Sequence, residues 1–455
     1  MKDFIDTLKN IWKIDELRKR ILFTIAMIAI YRFGAYVVLP GVNPQILEQA
    51  VSGRQNDIIG ILNTFTGGAL FKASIFALGI MPYITASIIV QLLGFAVPYF
   101  QRLQEKEGES GRNKINQITR YLTVLITLVQ GGGYLTTIVA AGAMAPNISP
   151  YLFWVTNLII LSTGTVFAMW LGERITDRGI GNGISLLIMI GIIARLPQSF
   201  AAEVSSQLSK SGLLIFVVEL AALFGIIMVT VLITQGVRKI PVQFAKKMVG
   251  KGSSQIPISG ARDYIPIKVN AAGVMPIIFA QAIMFLPATI LQWVTKSGAS
   301  AGSFLMAMNR WTSPTYNIIF FLLVVIFTYV YTALIVNPKQ YADYLKRMNA
   351  FIPGVKPGKS TEEYIDSVVT KITLPGSIFL GFISIFPAIV AAFGINQGFA
   401  LFFGGTSLLI LVGVVLDTMQ QVESHLLMRK YDGLVKSGKL KGRNTGGLNP
   451  IGSGM

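Results

Sequence analysis

The chain has no cysteine and a single histidine, His425. Disulfides and thiolate metal sites are therefore excluded, and the lack of clustered carboxylates argues against any other metal centre. Charged residues are scarce as well, 13% of 455, where soluble globular proteins have about 25%. No Gly-x-x-x-x-Gly-Lys-[Ser/Thr] phosphate loop appears, so the residues offer no nucleotide-driven engine. No cleavable leader is expected, because roughly 20 largely polar residues precede the first apolar run and no small-residue cleavage site follows it. What the chain does have is 53% hydrophobic residues, gathered in runs that reach the roughly 20 residues a membrane-crossing helix needs. It reads as a polytopic membrane protein, not an enzyme, with no cofactor expected.

Hydropathy over windows of about 19 residues predicts ten spans. They fall near 21–39, 74–97, 117–140, 152–172, 183–200, 213–235, 271–293, 315–336, 373–394 and 399–420. The connections alternate in charge. The segments 1–20, 98–120, 173–182, 236–270, 337–372 and 421–455 hold 32 of the 39 Lys and Arg residues, all on one side of the predicted membrane. Positive charge marks the cytoplasmic side. Both termini are therefore expected in the cytoplasm, as an even span number requires, with the chain in the cell inner membrane. Part of the net charge of +18 is then topology, with anionic lipids as the partner. The loops 236–270 and 337–372 exceed that need. Both are long, basic and punctuated by Gly and Pro, which suits docking of an acidic or RNA-rich partner. The Gly-rich end, KGRNTGGLNPIGSGM, is expected to be disordered.

A repeat organises the spans. LGIMPYITA at 78–86 in the second span is echoed by AGVMPIIFA at 272–280 in the seventh. GNGISLLI at 181–188 in the fifth is echoed by FGGTSLLI at 403–410 in the tenth. Matches at corresponding places argue for two five-helix halves, 21–200 and 213–420, joined by an outer connection at 201–212. Because five is odd, the halves run oppositely through the bilayer, an inverted repeat. The fold class expected is all-α, with the two halves around a central pore. The matched positions carry isoleucine: Ile80 and Ile84, Ile184 and Ile188, Ile278, and Ile410, with Ile84, Ile278 and Ile410 expected mid-span. Such residues can form a hydrophobic constriction that stops ions by dewetting yet widens without breaking strong bonds. Ser87 and Gln91 continue the Ile80/Ile84 stripe as a polar face.

The stretch IIGILNTFTGGALFK, 58–72, is too short to span and contains the soft Gly67-Gly68 pair. It reads as a re-entrant stopper or as an interfacial turn. The rival reading of the whole chain is a secondary transporter, a class that also uses inverted repeats. Transporters usually coordinate substrate with midplane polar groups, and here only Glu219 and Arg32 stand out within spans.

Taken together, LNTFTGGALFKASIFALGIMPYITASIIVQLL, EKEGESGRNKI, MWLGERITDRGIGNGIS, KVNAAGVMPIIFA and FGGTSLLI resemble the SecY family, the central subunit of the protein-conducting channel. The resemblance extends from about residue 20 to about 430. It implies a channel for unfolded preproteins bearing a signal sequence, with sideways release of apolar segments into lipid. It implies that the six isoleucines form the pore ring. It places a plug at about 58–70, including Ile59, Ile61, Leu62, Thr64, Phe65, Gly67 and Gly68, and a polar cluster at Gln91 and Asn182. Partners implied are the small subunits SecE and SecG, and the motor ATPase SecA or the ribosome. The last two would dock on the basic loops through Arg238, Lys239, Lys246, Lys247 and Lys356. One departure is Lys356 within Pro353-Gly354-Val355-Lys356-Pro357-Gly358, where the family commonly has arginine. Lysine keeps the charge but loses the planar fork.

Overall fold

The computed structural model describes residues 12, 14–52, 57–105, 108–146, 148–210, 213–244, 247–249, 256–258, 262–296 and 303–436. Lys246 and the Gly-rich end lie outside the described residues. The helices of the first half are α1 (Asp15–Gly34), α2 (Pro44–Ser52), α3 (Ile58–Phe65), α4 (Met81–Ala96), α5 (Pro98–Glu105), α6 (Gly108–Ala140), α7 (Pro150–Arg178) and α8 (Gly183–Lys210). The second half contains α9 (Leu213–Gln235), α10 (Met275–Lys296), α11 (Ser303–Asn309), α12 (Pro314–Ile335), α13 (Pro338–Arg347), α14 (Lys359–Ala392), α15 (Gln397–Ala400) and α16 (Gly405–Lys436).

Each of the ten expected spans falls on one helix: α1, α4, α6, α7, α8, α9, α10, α12, α14 and α16. Among the described residues, seven helical segments are long and apolar enough to cross a membrane, while α4 and α10 have shorter apolar stretches, Met81–Gly94 and Met275–Met284. The shortfall at α4 has a local cause. The second span was expected from residue 74, but Gly67, Gly68, Ala73 and Gly79 all have positive φ. The chain turns repeatedly there, and the helix starts only at Met81. In the other direction α8 continues past residue 200 to Lys210, so most of the expected outer connection is helix.

The two long loops are not irregular. Strand β1 (Val237–Phe244) pairs antiparallel with β4 (Arg262–Lys268) on one edge and with β5 (Ala350–Phe351) on the other. Short β2 (Lys247–Val249) and β3 (Ile256–Ile258) form a separate pair. The registers Ile240↔Ile265 and Gln243↔Phe351 tie both loops into one sheet. Alternation along β1 aims Ile240 and Val242 inward. There they join Ile267, Leu345, Ile352 and Ile365 in a small core at one end of the bundle, called below the sheet end.

Candidate functional site

The sequence echo has a structural meaning at the start of helices. Pro82 is the second residue of α4 and Pro276 the second of α10, where proline lacks no needed N–H and its fixed φ suits the helix. Gly79 at φ +55° and Gly273 at φ +62° precede them. That left-handed conformation is open to glycine without a Cβ penalty and redirects the chain into the helix. α8 repeats the device with Gly181 at φ +81°, and α16 begins on Gly405 at φ +63°. The motif is therefore a helix start, and its prolines are not interior kinks.

The isoleucines sit accordingly. Ile84 and Ile278 are the fourth residues of α4 and α10, and Ile188 and Ile410 the sixth residues of α8 and α16. Ile84, Ile278 and Ile410 thus each lie in the first or second turn of their helices. Ile80 precedes α4 as its N-cap, and its carbonyl accepts the Ile84 N–H at 3.1 Å. Ile278 makes the equivalent bond to Val274, at 3.3 Å. Ile80, Ile84, Ile188 and Ile410 are buried in one apolar cluster, and the half-buried Ile184 and Ile278 pack against it. The six isoleucines thus belong to, or pack against, one apolar core that also takes in residues of α1, α7, α12 and α14. Ile184 also lies against Gly172 of α7, where an added Cβ would stand 3.0 Å from its Cγ1.

Helix α3 enters the same cluster. Ile61 and Phe65 are buried in it, Leu62 packs at its margin, and Ile59 turns to a second core around Leu39, Leu47 and Phe71. Thr64 donates to the Gly60 carbonyl at 3.1 Å. Buried Asn63 accepts the Phe71 N–H at 3.1 Å, holding the turn after α3 folded back on the helix. Tyr134 of α6 donates to the Leu70 carbonyl at 2.5 Å. The seat on α8 depends on backbone approach: a Cβ on Gly191 would collide with the Phe65 carbonyl, and the position of a Gly67 Cβ lies 3.0 Å from the Gly191 carbonyl. Arg32 presses on Gly67, and the Arg195 Nε lies 3.8 Å from where a Gly68 Cβ would stand. Beside Ile61 a cavity opens between α10, α12, α14 and α16, with polar lining from Gln281, Tyr316, Ser384, Thr406 and Ser407. Gln281 donates to the Tyr316 hydroxyl there at 3.2 Å.

Other expected residues fall elsewhere. Asn182 caps α8, accepting the Ile184 and Ser185 N–H groups at 3.1 and 3.3 Å. Gln91 donates to Ser87 on its own helix at 3.2 Å, and no bond joins Gln91 to Asn182 among the described residues. Arg238 and Lys239 are exposed on β1, where Lys239 Nζ lies 4.6 Å above the Tyr264 ring. Lys247 begins β2. Lys356 is exposed in a turn between Gly354 and Gly358, both at positive φ. Two contributors were missed from sequence. Gly191 is echoed by Gly413, three residues beyond the matched segments GNGISLLI and FGGTSLLI, and Glu203 lies beyond the predicted end of its span.

Comparison with known proteins agrees with this architecture. A family model for SecY matches residues 74–419. The protein translocase subunit SecY of Streptomyces galbus is 42% identical over 436 residues, covering 92% of this chain and 97% of that one. A solved structure of a protein conducting channel superimposes with a TM-score of 0.60 at 18% identity, covering 90% and 92% of the two chains. A second, from work on the SecY plug domain that stabilises the closed state and maintains a membrane seal, gives 0.57 at 19% with the same coverage. The chain belongs to the SecY family.

Proposed function

We propose that this chain is the channel subunit of a protein translocase, passing unfolded polypeptide between its two halves through the isoleucine cluster. The observation that carries the reading is that one buried apolar cluster unites Ile80, Ile84, Ile188 and Ile410 with Ile61 and Phe65 of α3. An extended polypeptide in lipid leaves each backbone polar group unsatisfied, at several kcal/mol apiece. A path that is wet on both sides and dry only over a short ring limits that cost to a few residues. The ring closes by apolar contact alone, so it seals against ions and opens without breaking ionic bonds. Helix α3 acts as the plug, seated against Gly191 and filling the ring from one side.

Apolar segments leave sideways between α4 and α6 of one half and α10 and α12 of the other. The sheet end faces the cytoplasm of the inner membrane, with both termini on that side, and its exposed Arg238, Lys239 and Lys356 dock SecA or the ribosome. SecE, SecG and anionic lipids complete the assembly. Membership of the family sets aside the secondary transporter, and the energy for movement comes from the docked partner. The test is ion leak through reconstituted channels with Ile84, Ile278 or Ile410 exchanged for asparagine. Leak should rise severalfold over wild type, and several such variants with unchanged leak would sink the seal.

A further inference from the structure

At the end of the bundle opposite the sheet, a group of buried polar side chains has no part in the channel reading. Glu203 and Gln207 lie one turn apart on α8 and face Glu219 on α9, with exposures of 0%, 7% and 6%. The Gln207 amide donates to Glu203 Oε1 at 2.7 Å and to Glu219 Oε1 at 2.8 Å. The other Glu203 oxygen accepts the backbone N–H of Asn396 at 2.8 Å, in the turn leading into α15. Among the described residues the supply of donors ends there. Four carboxyl oxygens meet three neutral N–H groups, and Glu219 Oε2 is buried with no hydrogen-bond partner.

Among the described residues neither carboxyl has an ion-pair partner. Glu219 is the one charged residue of α9, and α15 has none. The first charge on α16 is Asp417, more than three turns along. On α8, Arg195 lies two turns away beside Gly68, and the Lys210 side chain is outside the described set. Two like charges side by side in an apolar seat, with neutral donors only, repel each other and cannot both be solvated. A neutral carboxyl costs far less there than a carboxylate with a bare oxygen.

We infer that Glu203 and Glu219 form a proton-binding pair that carries one exchangeable proton, held on Glu219. The proton joins the last helix of the first half to the first helix of the second. Its loss puts a second negative charge between α8, α9 and the turn at Asn396, and loosens that junction. The sign follows: a carboxyl protonated when folded but ionised when unfolded contributes stability that falls as pH rises. The inference goes beyond the channel reading and holds whatever passes between the halves.

The experiment uses the full chain in lipid nanodiscs, titrated from mildly acidic to alkaline pH. Difference infrared spectra should show loss of a protonated-carboxyl band in wild type and none in Glu219→Gln. The melting temperature should fall with pH in wild type and be flatter by one proton in Glu219→Gln. In Glu203→Gln the band should persist but titrate at lower pH, since the neighbouring charge is gone. An unchanged band and pH slope in Glu219→Gln would overturn the inference, as would an unshifted titration in Glu203→Gln. Stabilisation by added sodium that replaces the pH response would overturn it too, showing a metal cation in the proton's place.

Discussion

Exchange of Gly191 for alanine is the sharpest perturbation of the proposed plug. The added methyl group would occupy space held by the Phe65 carbonyl oxygen, with the backbone of Gly67 close behind. Both obstacles are main chain, so no side chain can swing aside, and either α3 lifts from α8 or α8 bends. Overpacking of this kind costs about 1–3 kcal/mol. At about 1.4 kcal/mol per tenfold, the ratio of seated to unseated plug should fall roughly 5- to 150-fold. Gly225 on α9 supplies the control, because nothing lies within 4 Å of its added Cβ. Both exchanges gain the same helix propensity, so the difference between them isolates the collision. The assay is ion leak through protein reconstituted in liposomes, without substrate, with a melting curve to show that each variant folds. Gly191→Ala should leak well above Gly225→Ala. Equal leak from two folded variants would mean that α3 is not seated on Gly191.

Three further outcomes follow from other contacts. Thr24→Val should cost about 1–3 kcal/mol in thermal or denaturant unfolding, because Thr24 Oγ1 accepts the buried Ile180 N–H at 3.1 Å; Thr24→Ser, which keeps the acceptor, should recover most of it. Glu173→Gln should change stability by less than about 1 kcal/mol, since the Arg120–Glu173 pair at 2.7 Å is half open to solvent. Exchange of Arg238 and Lys239 for glutamate should weaken binding of ribosomes or motor ATPase severalfold at low salt and much less at high salt, read by co-sedimentation; salt-independent loss would point to damage of the sheet instead.

The apolar runs made the spans legible, and the matched Gly-x-Met-Pro segments made the two halves legible. Their role as helix starts was hidden. Pro82 and Pro276 lie inside continuous apolar stretches, and a hydropathy window weighs a residue the same in a turn as in a helix. Only the positive φ of Gly79 and Gly273 distinguishes the two, and φ is not written in composition. The sheet was missed for a related reason. Pro241, Pro257 and Pro266 argue against strands, yet here the prolines lie on short strands of a two- or three-stranded ribbon. Glu219 stood out within its span, but its partners Glu203 and Gln207 did not, because charged and polar residues ended the predicted fifth span at 200. Burial by α9 and the Asn396 turn is tertiary and leaves no local mark. The isoleucines stood out by repetition; Gly191 was repeated as Gly413 too, but three residues beyond the matched segments, and its approach to the Phe65 carbonyl is a tertiary contact that repetition does not show.

The central claim is that polypeptide crosses at the isoleucine cluster, and the missing cysteines allow a direct test. Single cysteines would be placed at Ile84 or Ile278, with a control at exposed Leu232 on α9, and each variant offered a secretory chain stalled in passage and carrying one cysteine. Disulfide crosslinks at Ile84 and Ile278 and none at Leu232 are the predicted result. A chain that is demonstrably engaged yet crosslinks at neither isoleucine position would contradict the account.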